Sequence, residues 1–242
     1  MHVEDVEYEH DRVKMLGRLA YDETQSGKRP AVLLCHEAPG IDDNVKGRVE
    51  RLAELGYVAF GLDCHGGGKV LALDEVMARL GALVGDVERF RGLGFAGLDV
   101  LLAQPQADRD RVAAIGFCMG GALALELARA GTDLKAVVGF HPSLETSRRQ
   151  DAKNIRASIL VCCGTADPFI PQEQRLAFER EMTEGGVADW RMDVYGGVGH
   201  SFTNKAADDV GIPGVAYDEL ADRRSWQTML SLLEEKLGPV KT

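Results

Sequence analysis

The sequence has no apolar stretch long enough to cross a membrane, and its first residues, Met1 to Asp5, are charged and are not followed by an apolar segment. A membrane-spanning helix needs about 20 mainly apolar residues, and a secretory signal needs an apolar segment of about 7 to 15. The sequence therefore predicts neither a membrane anchor nor a signal peptide, and we expect a cytoplasmic protein.

An excess of basic residues is also missing. There are 28 Lys and Arg against 38 Asp and Glu, which gives a formal net charge of −10. An acidic surface repels both phosphate backbones and anionic lipid headgroups. We therefore expect neither a nucleic-acid partner nor a membrane partner.

No low-complexity tract, Ser/Pro-rich stretch or internal repeat divides the 242 residues. That length suits one large domain or two small ones, and 45% of the residues are hydrophobic, which is enough for a large core. Because nothing resembles a linker, we predict a single domain over residues 1–242.

The cysteines show no disulfide pattern. Their number is odd and their spacing irregular, and no CxxC occurs among Cys35, Cys64, Cys118, Cys162 and Cys163. Disulfide frameworks favour even numbers at regular spacing in secreted chains. We therefore predict free thiols, and adjacent Cys162 and Cys163 should point to opposite faces of a strand.

Apolar runs alternate with helical patterns along most of the chain. Segments 3–10 and 13–21 predict an antiparallel hairpin at a sheet edge. Further strands are predicted at 31–35, 57–62, 111–115, 135–140, 158–163 and 190–195, and helices at 42–55, 86–102, 122–129, 172–184 and 217–237, with one more helix within 69–104. This alternation predicts an α/β protein with a mainly parallel sheet and helices on both faces. With the hairpin in front, it is the α/β-hydrolase arrangement.

The most informative stretch is Gly116-Phe117-Cys118-Met119-Gly120-Gly121, which joins a predicted strand to a predicted helix. In a G-x-nucleophile-x-G turn the central side chain is exposed at the strand's carboxyl end, and the glycines let strand and helix approach closely. The positive end of the helix dipole favours a thiolate. Short patterns also arise by chance, so an ordinary thiol in a tight turn is the competing interpretation.

Two more reactive side chains each follow another predicted strand. Asp167 lies in Gly164-Thr165-Ala166-Asp167-Pro168, and His200 lies in Gly199-His200-Ser201-Phe202. The order of nucleophile, acid and histidine is that of α/β-hydrolases. We interpret Cys118 as the nucleophile, His200 as the base and later the acid, and Asp167 as the residue that orients the imidazole.

Acyl transfer to Cys118 would form a thioester, which water then hydrolyses. Its tetrahedral oxyanion needs two backbone N–H donors. We predict one from Met119, directly after the nucleophile, and one from Ala38, in the loop after the strand that ends at Cys35.

Four segments of the sequence resemble the dienelactone hydrolase family (carboxymethylenebutenolidases) of α/β-hydrolases. The resemblance covers nearly the whole chain and implies a Cys-Asp-His triad at Cys118, Asp167 and His200. It also implies that Glu37 interacts with the resting thiol and moves on substrate binding to leave a thiolate. A buried carboxylate raises the pKa of a neighbouring thiol, so its movement away would favour the thiolate. The segments are Cys35-His36-Glu37-Ala38-Pro39-Gly40, Gly116-Phe117-Cys118-Met119-Gly120-Gly121, Gly164-Thr165-Ala166-Asp167 and Gly199-His200-Ser201-Phe202.

The sequence departs from the resemblance at one binding position. The family's dienelactone-cleaving members hold the substrate carboxylate with arginines, one of them four residues after the catalytic histidine, and that position here is Asn204. The next residue, Lys205, is an imperfect replacement because an ammonium lacks the planar fork of a guanidinium. The resemblance therefore predicts a small ester or lactone as substrate without predicting dienelactone itself.

The remaining histidines suggest other sites less clearly. His65-Gly66-Gly67-Gly68 resembles a lipase oxyanion motif, but it follows the fourth predicted strand instead of the third. We interpret it as a flexible turn near the mouth of the site, with His65, Phe202 and Lys205 as candidate substrate-binding residues. We interpret His141 as structural or pocket-lining. No CxxC or HExxH accompanies the Cys-His pairs at 35–36 and 64–65, so we expect no metal and no cofactor.

Three classes of function remain. The leading hypothesis is a cysteine-dependent hydrolase of a small ester or lactone, with a monomer favoured by the family resemblance. The second is a thiol redox protein, although the sequence offers no resolving cysteine. The third is a non-catalytic α/β-hydrolase-fold binding protein, which an intact triad makes unnecessary. Ester turnover discriminates the first class from the others.

Overall fold

The computed structural model describes residues 1–240, in which eight strands form one sheet. The first two strands pair antiparallel, the second pairs antiparallel with the fourth, and all other pairs are parallel. The order across the sheet is β1-β2-β4-β3-β5-β6-β7-β8. The predicted hairpin and mainly parallel sheet are thus confirmed. The strands are β1 His2–His10, β2 Val13–Tyr21, β3 Arg29–Cys35, β4 Val58–Leu62, β5 Ala107–Phe117, β6 Ala136–Phe140, β7 Ser158–Gly164 and β8 Trp190–Tyr195.

Helices connect the strands. They are α1 Asp43–Glu54, α2 Leu73–Val84, α3 Val87–Leu102, α4 Met119–Arg129, α5 Gln172–Glu184 and α6 Glu219–Leu237, with 3-10 helices at Arg149–Asn154 and Lys205–Asp209. Three of them begin where an aspartate accepts a hydrogen bond from a backbone N–H in the first turn: Asp42 before α1, Asp86 before α3 and Asp218 before α6. Within residues 1–240, none of the helices combines the length and apolar character that crossing a membrane requires.

Both faces of the sheet are buried. Along β3 the side chains alternate: Leu33 and Cys35 pack under α2, α3, α4 and α5, while Val32 and Leu34 pack under α1 and α6. The same alternation places Cys163 in the first core and Cys162 in the second, as predicted. Continuous apolar strands are the sequence signature of a sheet covered on both sides, and the predicted α/β-hydrolase fold is confirmed.

A buried ion network ties three helices together beneath the first face. Arg129 of α4 is almost fully buried and contacts Glu181 of α5 (Nε–Oε1, 2.7 Å) and Glu126 (Nη1–Oε1, 2.9 Å). The second oxygen of Glu126 pairs with Arg91 of α3 (2.8 Å), which also reaches Asp151 (2.8 Å). Buried charges need such partners because an isolated one is strongly destabilising.

Candidate active site

Cys118 lies in the turn between β5 and α4 in a strained conformation. Its φ of 51° and ψ of −117° are unusual for a residue with a side chain. Two glycines permit this turn: a Cβ on Gly116 would lie 2.1 Å from the Gly120 carbonyl oxygen, and one on Gly120 would lie 2.1 Å from that of Cys35. The strand, sharp turn and helix that the motif predicts are therefore present, and Cys118 is partly exposed.

Asp167 and His200 meet at the same edge of the sheet, just after β7 and β8. Asp167 Oδ2 and His200 Nδ1 are 2.7 Å apart, and both side chains are buried. The other oxygen of Asp167 accepts the backbone N–H of Phe169 (2.9 Å), whose ring packs edge-on against the imidazole. The backbone N–H of His200 donates to the carbonyl of Gly214 (2.7 Å). These contacts fix the orientation of the imidazole ring. They do not involve its other nitrogen, Nε2.

The protonation of His200 reflects its two neighbours. Burial alone would lower the pKa of His200, but the charge of Cys118 and the hydrogen bond with Asp167 together raise it to about 10. The Cys118 sulfur is therefore close enough to interact with the imidazole. A histidine cation stabilises negative charge on a neighbouring sulfur.

Glu37 follows β3 and is buried next to this pair. Its Oε2 accepts a hydrogen bond from Asn204 Nδ2 (2.7 Å), and its Oε1 lies 3.6 Å from His141 Nε2. The structure gives no hydrogen bond between Glu37 and the Cys118 thiol within residues 1–240. Burial raises the pKa of Glu37 to about 6.

His141 is a neutral, buried part of the same cluster. Its Nε2 is 2.9 Å from Thr203 Oγ1, and its ring packs edge-on against those of His200 and Phe202. Burial, and then the positive charge of His200, hold the pKa of His141 well below its ordinary value. His141 therefore packs against His200 without being a charged partner of Glu37.

The Glu37→Gln variant is expected to gain stability relative to wild type as the pH rises, by about 1 kcal/mol between pH 5 and pH 8. Burial raises the pKa of Glu37 from its ordinary 4.5 to about 6 in the folded protein. A raised pKa gives stability that is fully present below the unfolded pKa and is lost as the pH rises through the folded one. The glutamine side chain does not titrate, so the variant does not lose this contribution to its stability as the pH rises.

Urea unfolding of both proteins at pH 5 and pH 8 measures the effect. Glu184→Gln at the exposed end of α5 is the control, for which we expect no such trend. A stability difference between Glu37→Gln and wild type that is the same at both pH values would contradict the interpretation.

Sequence analysis did not identify Arg48 as a residue that supports the site. Arg48 of α1 donates to the Thr203 carbonyl (2.7 Å) and to Asp222 Oδ1 (2.7 Å), and its guanidinium lies 4.9 Å from the Trp226 ring centroid. It therefore holds the segment that carries Asn204. An arginine on an amphipathic helix, 155 positions from its partner, gives no signal in the sequence.

The two predicted oxyanion donors lie on segments that the structure brings together. Met119 is the first residue of α4, where backbone N–H groups have no partner in the helix. Ala38 is buried in the loop after β3. The close approach of Gly120 to the Cys35 carbonyl places the start of α4 against the end of β3.

The three candidate substrate-binding residues have other contacts. His65 is half-buried, with its Nε2 2.8 Å from the Ala38 carbonyl oxygen. Phe202 is fully buried against Tyr195. Lys205 is exposed, and its ammonium lies 5.8 Å from the Tyr217 ring centroid. In the described part of the chain no group of three or more His, Cys, Asp or Glu side chains is arranged to hold a metal.

The chain is similar to known proteins over most of its length. The model of the dienelactone hydrolase family matches residues 16–237. The solved structure "m3DLH" is 42% identical, with a TM-score of 0.94 and 98% of each chain covered. A dienelactone hydrolase-like promiscuous phosphotriesterase, P91 from metagenomic libraries, is 40% identical, with a TM-score of 0.93 and 98% and 99% of the chains covered. A probable 2-oxo-3-(5-oxofuran-2-ylidene)propanoate lactonase from Bradyrhizobium sp is 29% identical over 93% of this chain and 92% of its own.

Proposed function

Since this chain belongs to the dienelactone hydrolase family, whose members act on esters and lactones, we propose that it hydrolyses small esters or lactones with Cys118 as nucleophile. His200 carries the proton and Asp167 orients His200. The observation that carries the proposal is the 2.7 Å contact between Asp167 Oδ2 and His200 Nδ1, beside the strained turn that presents Cys118.

Acylation begins when the Cys118 thiolate attacks the substrate carbonyl carbon. The new C–S bond places a negative charge on the former carbonyl oxygen, which the backbone N–H groups of Ala38 and Met119 stabilise. Collapse of this intermediate breaks the C–O bond, and His200 donates its Nε2 proton to the leaving alkoxide. A lactone opens in the same step, and its alkoxide stays attached to the acyl group.

Deacylation regenerates the thiolate. Neutral His200 takes a proton from water as the water oxygen attacks the thioester carbon. Breakage of the C–S bond releases the carboxylic acid and restores the thiolate–imidazolium pair. Asp167 holds the imidazole in orientation and stabilises the imidazolium.

Glu37 gates the thiol in this proposal. One of its oxygens is held by Asn204, and the other has no hydrogen-bond partner among the residues that the structure describes. This second oxygen can therefore accept a hydrogen bond from the resting thiol. When this oxygen moves away from Cys118 on substrate binding, the sulfur is free to pair with His200.

The test of the hydrolase proposal is turnover of p-nitrophenyl acetate by untreated protein and by protein alkylated with iodoacetamide. We expect many turnovers per molecule from the first and none from the second. A thiol redox protein would be alkylated as well but would release no p-nitrophenol catalytically. Folded protein that turns over neither esters nor lactones would contradict the proposal.

Within this class, the site favours uncharged substrates. The Asn204 amide is occupied by Glu37, and the Lys205 ammonium lies over Tyr217 at the surface. Neither residue presents the guanidinium fork that binds a carboxylate best. Moving the dienelactone carboxylate from water into a site without such a cation costs free energy. We therefore expect the lactone ring of dienelactone methyl ester to open with a kcat/KM about tenfold or more above that of dienelactone itself.

Paired rates of ring opening for these two substrates, which share one lactone ring and differ only at the carboxyl group, measure the preference. A faster reaction with the charged lactone would show that another cationic group contacts the substrate.

Phosphotriester hydrolysis is a second candidate reaction. It is favoured by the 40% identity to a protein described as a promiscuous phosphotriesterase and by the preference for uncharged substrates argued above. Cys118 would attack phosphorus, forming an S–P bond as the aryloxide leaves, and water would then break that bond. Diethyl p-nitrophenyl phosphate tests it: release of many equivalents of p-nitrophenol supports the reaction, and release of a single equivalent contradicts it.

A further inference from the structure

Two imidazoles outside the triad contact the loop after β3. His36 Nδ1 is hydrogen-bonded to the Glu37 carbonyl oxygen, and His65 Nε2 lies 2.8 Å from the carbonyl oxygen of Ala38. The two rings are neighbours, with centroids 5.0 Å apart. The Glu37 carbonyl and the Ala38 N–H belong to one peptide group, so His36 binds the opposite end of the group that carries the proposed oxyanion donor.

The direction of the His36 hydrogen bonds is fixed by its surroundings. The backbone N–H of Cys64 donates to His36 Nε2 (3.0 Å), so that nitrogen carries a lone pair. Burial, reinforced by neighbouring His65, lowers the pKa of His36 to about 4, and the ring is neutral at neutral pH. Its single proton is therefore on Nδ1 and is donated to the Glu37 carbonyl.

A continuous hydrogen-bond chain thus ends at the oxyanion donor. It runs from the Cys64 N–H through the His36 ring to the Glu37 carbonyl and across the peptide to the Ala38 N–H. A peptide that accepts a hydrogen bond at its oxygen is polarised and becomes a stronger donor at its nitrogen. This bond, together with the one that the Gly40 N–H donates to the same carbonyl (3.1 Å), prevents the peptide from rotating and keeps the donor aimed before the reaction begins.

The glycine-rich turn after β4 supports the second imidazole. The buried Asp63 carboxylate accepts backbone N–H groups from Leu16 (3.0 Å), His65 (2.7 Å), Gly66 (3.0 Å) and Gly68 (2.8 Å). Gly66 and Gly68 have positive φ angles of 92° and 65°, which favour glycine. The turn is therefore built around Asp63, and it holds His65 against Ala38.

We propose that His36, assisted by His65, is a positioning residue that fixes and polarises the Glu37–Ala38 peptide as an oxyanion donor. The inference rests on the proposed function, because the Ala38 N–H has this role only if Cys118 attacks a carbonyl group. It assigns the histidine of the Cys35-His36-Glu37 segment a task distinct from proton transfer.

The test compares two reactions of the same thiolate. Acylation by p-nitrophenyl acetate, measured as the burst of p-nitrophenol, builds an oxyanion. Alkylation by iodoacetamide forms an S–C bond and expels iodide at a saturated carbon, so no oxyanion develops. In His36→Leu we expect acylation to be about 10- to 100-fold slower and the alkylation rate to be unchanged. His36→Asn, whose amide can donate from near the position of Nδ1, restores most of the acylation rate.

Two other outcomes would contradict the role proposed for His36. Equal losses in both reactions would show that His36 supports the fold or the thiolate, and a wild-type burst in His36→Leu would show that the peptide needs no support. If His36→Leu does not fold, the half-buried position 65 gives the same comparison, with His65→Leu slowing acylation only and His65→Gln restoring it. An ester burst in Cys118→Ala would instead contradict the proposed function itself.

Discussion

The Cys118→Ala variant is expected to lose ester hydrolysis almost completely, with kcat/KM for p-nitrophenyl acetate falling roughly 10⁴- to 10⁶-fold. Removal of the sulfur eliminates the covalent intermediate, and only the oxyanion donors and substrate binding remain to accelerate attack by water. The other four cysteines are fully buried within the described residues, so none replaces it at the site. Steady-state kinetics at neutral pH measure the loss.

Cys162→Ala is the matched control. Cys162 is buried in the core beneath α1 and α6, on the opposite face of the sheet from the residues that pack against Cys118. We expect this variant to keep its activity despite a small loss of stability. Full activity in Cys118→Ala would place the nucleophile elsewhere.

The Arg129→Met variant is expected to lower the free energy of unfolding by about 3–5 kcal/mol. Arg129 contacts both oxygens of Glu181, through Nε (2.7 Å) and Nη2 (3.1 Å), and both residues are buried. Methionine fills much of the space but leaves the Glu181 carboxylate without a cation. Glu126 is less affected because it keeps Arg91. Urea unfolding at pH 7 measures the loss.

Two further variants separate lost charge from lost packing. Arg148→Met removes the exposed ion pair with Glu88 and is expected to cost less than about 1 kcal/mol. Adding Glu181→Met to Arg129→Met removes the unpaired carboxylate and should recover part of the stability. If the double variant were less stable than Arg129→Met by the full cost of a second core substitution, the loss would come from packing instead.

Local signals predicted the regular elements well where the sequence marks their ends. The predicted helix 172–184 and strand 190–195 match α5 and β8, because Gly185 and Gly186 stop the helix. The start of β5 was predicted four residues late. Its first part, Ala107 to Asp110, is polar and is a strand only through pairing with Arg29 and Pro30 of β3, and that pairing leaves no mark on the local pattern.

The same distinction holds for the candidate site. Cys118, Asp167 and His200 could be proposed because each follows a strand, and the fold brings the ends of parallel strands together. The contacts of Asn204 with Glu37 and of His36 with the loop peptide could not, because they depend on side-chain directions at the end of the folded sheet. Phe202, two residues after His200, lies fully buried, and the local sequence pattern does not reveal that burial.

The residue that becomes acylated identifies the nucleophile most directly. The protein is mixed with p-nitrophenyl acetate, quenched in acid during the burst and digested. The masses of its peptides are then measured by mass spectrometry. We expect one acetyl group, on the peptide that contains Cys118, and none on the corresponding peptide of Cys118→Ala. An acetyl group on another residue at the rate of turnover, or rapid turnover with no acylated Cys118, would contradict this expectation.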